Sequence, residues 1–283
     1  MTMTIVNAHR DTPPAWTLSV VSFLVMTVLL QIGGMLLFKD KDVLPLLFQI
    51  FLVVWTVCII FRNAIELPAL LGSSHNKTLE LLWTASLIVP MLVIGGVLGL
   101  MLFYLASAQP ELLLKSFASK KSASGLDTLT AILSICVVPV IEELVFRGLL
   151  FNFLSTRTTT GRALIYSSLL FASMHAQSFG VIQFFLSILF TLAYFHTRWL
   201  VMPVILHALW NCIPYGASWF GNRVTHDGPQ MADVQQLAST LHVWLPVLAG
   251  SLIVGAAAAI FLLIRFWPGP QALTPYQLYF AQR

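Results

Sequence analysis

Two adjacent carboxylates and one guanidinium lie within an apolar stretch, Val137-Val-Pro-Val-Ile-Glu-Glu-Leu-Val-Phe-Arg147. A charge at the centre of a bilayer costs about 2.5–3.5 kcal/mol on insertion scales, so three charges together need a reason. On a helix, Glu143 and Arg147 share a face and form a favourable i,i+4 ion pair. Glu142 is turned by about 100° from Glu143 and can stay outside that pair. We interpret the segment as a candidate site, although an ion pair that only joins helices would also explain Glu143 and Arg147.

Three more polar side chains lie in apolar runs further along the chain: His175, His207 and Asn211. His207 and Asn211 are spaced to share one helical face. A carboxylate and an imidazole together can activate water, and imidazole and amide N–H groups can stabilise a developing oxyanion. The set indicates hydrolysis of an amide or ester in a water-filled cavity. Taken singly, a histidine at a helix end or an asparagine between membrane helices is more often structural.

The composition is that of an integral membrane protein. Of the 283 residues, 58% are hydrophobic and 9% are charged, and the mean hydropathy is +0.86. Soluble domains carry about 25% charged residues. The net charge of +4 comes without a basic stripe, so it favours contact with lipid headgroups over nucleic-acid binding. The three cysteines, in separate apolar runs, predict neither a disulfide framework nor a metal site.

Apolar runs predict an all-α, polytopic membrane protein with about eight transmembrane helices. The predicted spans lie at about 15–38, 43–62, 79–106, 126–153, 162–176, 179–196, 200–220 and 243–266. The first run lacks a cleavage signature, so we expect a span and not a removable signal peptide. Pro139 predicts a kink in the fourth span.

The same pattern divides the chain into four consecutive portions. We expect an N-terminal three-helix membrane portion at 1–108, a polar or interfacial linker at 109–125, a catalytic helical core at 126–220, and a final portion at 221–283. The final portion is predicted to hold a polar loop from Gly221 to Leu241, the last span and a C-terminal tail whose aromatic residues suit the headgroup level.

Three motifs carry a resemblance to a known family. Glu142-Glu143-x-x-x-Arg147, Phe171-x-x-x-His175 and His207-x-x-x-Asn211 resemble, in order, the motifs of the CPBP intramembrane proteases. This family includes the type II CAAX prenyl endopeptidases and bacteriocin-processing or bacteriocin-immunity relatives. No motif residue departs from the pattern, and the resemblance covers about 126–220.

The resemblance implies an intramembrane endopeptidase with assigned roles for six residues. Glu142 would be the general base and would polarise water together with His175. His207 and Asn211 would stabilise the oxyanion. Glu143 and Arg147 would be a supporting pair that fixes the helix and tunes Glu142. Phe171 is expected to serve packing.

A zinc ion held by Glu142, His175 and His207 is an open alternative, because two histidines and a glutamate hold zinc in other hydrolases. We favour metal-free, glutamate-type hydrolysis without a cofactor, since the chain has no His-Glu-x-x-His helix. Asparagine is also an unusual zinc partner but a natural oxyanion donor.

Two other functions stay open, a non-catalytic membrane immunity or binding protein and a proton-coupled transporter. A transporter would be expected to have two related halves with interrupted helices, and the sequence has no such symmetry. The expected partners are membrane lipids and a membrane-associated protein or peptide substrate, with no nucleic acid. The expected location is a membrane crossed several times, the plasma (inner) membrane if the chain is bacterial.

Overall fold

The computed structural model describes residues 43–62, 65–73, 76–118, 131–175, 180–224 and 231–282, together with Ser22. The first predicted span, at about 15–38, lies outside the described residues apart from Ser22, as do residues 119–130, which are the end of the polar segment and the start of the fourth predicted span. In the described part the chain is helical, and the β-type pairing there is an isolated bridge between Gly72 and Trp199.

The helices follow the predicted spans closely at most positions. In chain order they are α1 Val43–Arg62, α2 Leu67–Leu71, α3 Lys77–Ser86, α4 Ile88–Ala108, α5 Pro110–Ala118, π1 Leu133–Val137, α6 Val138–Glu143, π2 Leu144–Phe151, α7 Asn152–Arg157, α8 Thr160–Met174, α9 Gly180–Thr197, α10 Val201–Val224, α11 Met231–Phe266 and α12 Pro275–Ala281. The all-helical fold class is confirmed for the described residues.

Three helical stretches in the described part are long and apolar enough to cross a membrane. They are Lys77–Ala108, which contains α3 and α4, Gly180–Thr197 and Met231–Phe266. Val53–Arg62 and Val201–Pro214 are shorter apolar helical segments. The chain is therefore an integral membrane protein, and the number of about eight spans stays a prediction.

Two boundaries differ from the sequence prediction. The predicted span at 79–106 is two helices that meet at Leu87, because Pro90 has no N–H to bond to the carbonyl of Ser86. The predicted polar loop from Gly221 to Leu241 was wrong over most of its length: α10 continues to Val224 and α11 begins at Met231. Val234 on this added part of α11 is buried against Ala106 and Leu113, which stabilises the helical turns.

The helix that carries the two glutamates contains two π-helical segments. We refer to π1, α6, π2 and α7 together as the motif helix. Pro139 lies in the first turn of α6, directly after π1, and Arg147 lies inside π2. A proline cannot complete the regular ladder, and wider π-helical turns accommodate such a defect. The structure therefore has π segments where the sequence predicted only a kink.

By their internal contacts the residues form two compact units, each described by itself. The first contains 1–80, 134–208 and 267–283, and the second contains 81–133 and 209–266. The core of the first unit gathers buried apolar residues of the motif helix, such as Val145 and Phe146, around Leu70 of α2 and Phe171 of α8. This core surrounds the polar side chains described below.

The C-terminal tail is anchored within the first unit. The Thr160 hydroxyl bonds to the carbonyl of Ala272, and α12 begins with a capping box formed by Thr274 and Gln277. The Tyr279 hydroxyl donates to Glu66. Burial first, and the Glu66 carboxylate second, raise the pKa of Tyr276 above its ordinary value.

In the second unit, α4 packs along α11 through a close backbone contact. A side chain at Gly96 would bring its Cβ within 2.8 Å of the Leu248 carbonyl oxygen, so only glycine fits there. Gly95, one residue earlier, has nothing within 4 Å of the same position. Gly96 is thus one of the residues that allow the two helices to approach closely.

Candidate active site

Glu143 is the centre of a buried charged group. Its Oε1 accepts a hydrogen bond from Arg147 Nη1 at 2.9 Å and another from His207 Nδ1 at 2.8 Å. Glu143 and Arg147 both have no exposed surface. The i,i+4 pair that the sequence predicted is therefore present. The second bond was not predicted, and it makes Glu143 the residue that orients His207.

Helix α9 holds the far side of the guanidinium. Arg147 Nη2 donates to the Ser187 hydroxyl at 2.8 Å and to the Ser187 carbonyl at 3.1 Å, and Nε donates to the Thr191 hydroxyl at 3.4 Å. Charge-assisted hydrogen bonds of this kind are stronger than neutral ones and fix the plane of the guanidinium. The three donors that point at α9 lock Arg147 between that helix and Glu143.

Glu142 faces both imidazoles. Its Oε2 lies 3.8 Å from His175 Nε2 and 3.9 Å from His207 Nε2. The Glu142 side chain is buried, whereas a quarter of the His175 side chain is exposed. These distances exceed a direct hydrogen bond, and they are separations that a water molecule with bonds of about 2.8 Å to each partner can span. The sequence-predicted acid and both histidines are thus brought together.

The ring nitrogens of both histidines have assigned roles, because a carbonyl or a carboxylate oxygen can only accept. His175 Nδ1 lies 2.8 Å from the Phe171 carbonyl oxygen and must donate to it. His207 Nδ1 donates to Glu143 in the same way. In both rings this leaves Nε2 directed toward Glu142, so a neutral His175 presents a lone pair there.

Two aromatic rings enclose the charged groups. Phe171 stacks on His175 with ring centroids 4.5 Å apart, and the Arg147 guanidinium lies 4.7 Å from its centroid. Phe190 stacks on His207 at 5.3 Å. Stacking limits ring rotation, and a cation over an aromatic face is favourable. Phe171, predicted to serve packing, therefore also contacts His175 and the guanidinium directly.

A second polar network, centred on Asn152, supports the motif helix at the end of π2. Asn152 Nδ2 donates to the carbonyls of Arg147 and Gly148, at 3.0 and 2.7 Å, where π2 gives way to α7. It also contacts the Tyr194 hydroxyl at 3.3 Å, which in turn donates to the Leu70 carbonyl. The network satisfies carbonyls of the wide π turns that carry Arg147.

Sequence reasoning missed Ser187, Phe190, Thr191 and Tyr194 of α9, and Asn152 of the motif helix. A signal was present: Ser187, Thr191 and Tyr194 share one helical face in an otherwise apolar run. Small hydroxyl residues are common in membrane helices, so that pattern alone does not point to a site.

Residues 124–213 match the family model described as type II CAAX prenyl endopeptidase Rce1-like. We refer to this segment, which is similar to that family, as the Rce1-like domain. The match contains all six residues predicted for the site and confirms the CPBP resemblance. The family is one of proteases that act in membranes. No curated protein and no solved structure matches the chain.

The sixth predicted residue of the Rce1-like domain is Asn211. It is half-buried and lies one helical turn after His207 on α10, as the motif requires. Asn211 belongs to the second compact unit and His207 to the first. Its role at the oxyanion stays a prediction.

Three residues of the Rce1-like domain are those that the zinc alternative requires. His175 and His207 each direct Nε2 toward Oε2 of Glu142, and each histidine is held through Nδ1, as zinc-binding histidines usually are. Ligands of one tetrahedral zinc ion lie about 3.3 Å apart, given metal–ligand distances of about 2.0–2.1 Å. The observed separations of 3.8 and 3.9 Å are wider. Within the described part of the chain, no group of three His, Cys, Asp or Glu side chains forms a metal site. The three side chains are therefore spaced more widely than the ligands of a bound zinc ion, and the zinc alternative and metal-free hydrolysis both stay predictions.

Proposed function

We propose that the chain is a multi-pass intramembrane endopeptidase that hydrolyses a peptide bond in a membrane-associated protein or peptide. The observation that carries the proposal is the approach of one buried carboxylate, Glu142, to two imidazoles supplied by different helices. The family of the 124–213 domain supports a peptidase over the transporter and the non-catalytic binding protein. Eight spans, and the plasma membrane if the chain is bacterial, belong to the same proposal.

Glu142 and His175 activate the attacking water. The water oxygen bonds to the carbonyl carbon of the substrate while one water proton passes to the Glu142 carboxylate. His175, held by its Nδ1–H bond to Phe171, presents Nε2 as an acceptor that orients the same water. The proton on Glu142 then passes to the amide nitrogen as the C–N bond breaks, which releases an amine and a carboxylic acid.

His207 and Asn211 stabilise the oxyanion that forms on the former carbonyl oxygen. Because Nδ1–H of His207 is bonded to Glu143, Nε2 carries a second N–H only when the ring is an imidazolium. That state balances the charges of the cluster, with Glu142 and Glu143 negative and Arg147 and His207 positive. Preorganised donors of this kind contribute about 10²–10³-fold to the rate.

Cleavage assays on matched variants test this proposal. We expect Glu142→Gln and His175→Ala to lose about 10²–10⁴-fold in kcat/KM, the usual contribution of a general base, without loss of thermal stability. Glu111→Gln and His196→Ala are the matched controls, since Glu111 is exposed on α5 and His196 is outside the site. The full chain in proteoliposomes is assayed with a farnesylated C-a-a-X peptide and its unlipidated form.

Proteomics of membrane fractions identifies substrates outside this peptide class, as species that remain uncut with Glu142→Gln. If the wild type and Glu142→Gln yield the same cleavage pattern in every assay, the endopeptidase proposal is wrong. Metal analysis of the purified chain tests the metal-free mechanism. Stoichiometric zinc whose removal abolishes turnover would overturn that part alone.

A further inference from the structure

Helix α9 contributes a face of three residues that none of the three motifs contains. Ser187, Phe190 and Thr191 follow the i, i+3, i+4 spacing of one helical face, and all three are at most 1% exposed. Ser187 and Thr191 accept hydrogen bonds from Arg147, and Phe190 lies against both Arg147 and His207. The face therefore touches both Arg147 and His207.

The two hydroxyls decide which way the guanidinium faces. Thr191 donates its own proton to the Ser187 carbonyl at 2.8 Å, so its oxygen is turned to accept from Arg147 Nε. Ser187 takes both protons of Nη2, one on its hydroxyl and one on its carbonyl. With Nε and Nη2 held in this way, Nη1 is the nitrogen left to face Glu143.

A chain of hydrogen bonds then runs from α9 to the reacting groups. Arg147 Nη1 bonds to Glu143 Oε1, and the same oxygen accepts from His207 Nδ1. If the guanidinium turns, Glu143 Oε1 loses its position between Arg147 and His207. His207 Nε2 would then move away from its place 3.9 Å from Glu142.

We propose that Ser187 and Thr191 are positioning residues of the peptidase reaction, which act through Arg147 and Glu143 on the orientation of His207. The proposal rests on the proposed function for its effect on catalysis. Its structural part, the control of His207, can be measured without any substrate.

Thr191→Val and Thr197→Val form a matched pair on the same helix. Both threonines are buried, and both hydroxyls donate to the carbonyl four residues earlier, at 2.8 and 2.7 Å. Only Thr191 accepts from Arg147. Ser187→Ala and Ser167→Ala form a second pair, because Ser167 is equally buried but its hydroxyl donates to Leu164 of its own helix.

We expect Ser187→Ala to lower kcat by about 10–100-fold, as loss of a supporting hydrogen bond commonly does, with a much smaller change in KM. Thr191→Val should lower kcat by about threefold to tenfold, because its bond to Arg147 is longer. Thr197→Val and Ser167→Ala should keep the wild-type kcat. In a Glu143→Gln background, Ser187→Ala should add little, since residues that act as one unit are not additive.

The substrate-free measurement uses chains labelled with ¹⁵N-histidine in micelles. The His207 Nδ1–H proton bonded to a carboxylate is expected far downfield and is assigned by its loss in His207→Gln. Ser187→Ala and Thr191→Val should shift or broaden this signal, and Thr197→Val and Ser167→Ala should leave it unchanged. Thr191→Val keeps the test valid should Ser187→Ala fail to fold.

The outcomes separate this inference from the proposed function. If the wild type is active and both Ser187→Ala and Thr191→Val keep the wild-type kcat and the wild-type His207 signal, the inference is overturned and the proposed function is not. Equal losses in the two members of each matched pair also overturn it, because they indicate a general packing effect. A wild type that cleaves nothing contradicts the proposed function, and the His207 signal then decides the positioning on its own.

Discussion

The two compact units stabilise their helices in opposite ways. In the first unit, the motif helix, α8 and α9 enclose buried polar side chains, among them Arg147, Glu143 and Asn152. In the second unit, α4 and α11 meet through apolar side chains and the close backbone contact at Gly96. Buried charges need every partner in place, whereas apolar packing needs shape alone. Mutations should therefore destabilise the two units for different reasons.

In the first unit, burial of the charged groups of the site costs desolvation free energy. Removing one member of a buried ion pair leaves an uncompensated charge, while the pair itself contributes little to stability. Each polar group here is supported by another, from Ser187 to Arg147, to Glu143 and to His207. In the second unit, α4 and α11 pack against each other mainly through apolar side chains and glycine, so these two helices can pack for stability without serving the reacting groups.

Arg147→Met should give the largest loss of stability. It leaves the buried Glu143 carboxylate without the Arg147 guanidinium, and we expect a free energy of unfolding lower by about 3–5 kcal/mol, with cleavage lost as well. Arg157→Met, an exposed arginine of the same helix, is the control and should change stability by at most about 0.5 kcal/mol. Chemical unfolding in micelles measures both. A cost below about 1 kcal/mol for Arg147→Met would contradict the contrast between the units.

Gly96→Ala should have an intermediate effect in the second unit. The added methyl meets the Leu248 carbonyl, and such overpacking costs about 1–3 kcal/mol. Gly95→Ala, where space is open, should be neutral or stabilising by up to about 1 kcal/mol, because alanine is the better helix former. Thermal unfolding of the two variants checks the opposite signs. Equal effects would mean that the α4–α11 contact is not close at Gly96.

Tyr194→Phe should have the smallest effect. It removes the hydroxyl that bonds to Leu70 and Asn152, and a neutral hydrogen bond contributes about 0.5–1.5 kcal/mol. Tyr104→Phe, an exposed tyrosine of α4, serves as the control and should be silent. Chemical unfolding in micelles compares the two. A loss above about 3 kcal/mol would mean that the network of Asn152 and Tyr194 supports the Glu143–Arg147 ion pair more directly than its hydrogen bonds indicate.

Much of the fold was predictable because hydrophobic runs in a membrane protein report helix positions directly. Val43–Arg62 and Gly180–Thr197 were located to within a residue. The break at Leu87 was missed because it depends on one proline inside an apolar run. The early start of α11 was missed because it depends on the burial of Val234 against Ala106 and Leu113, which local polarity does not reveal.

The sequence by itself determined the membrane class, the positions of most helices and the pair Glu143–Arg147, because helical spacing makes residues four apart neighbours wherever the helix lies. Only the tertiary structure decided that Glu143 also holds His207, 64 positions away, and that Ser187 and Thr191 hold Arg147. Those contacts depend on how separate helices pack, and the spacing of residues along one chain carries no direct record of the distances between helices.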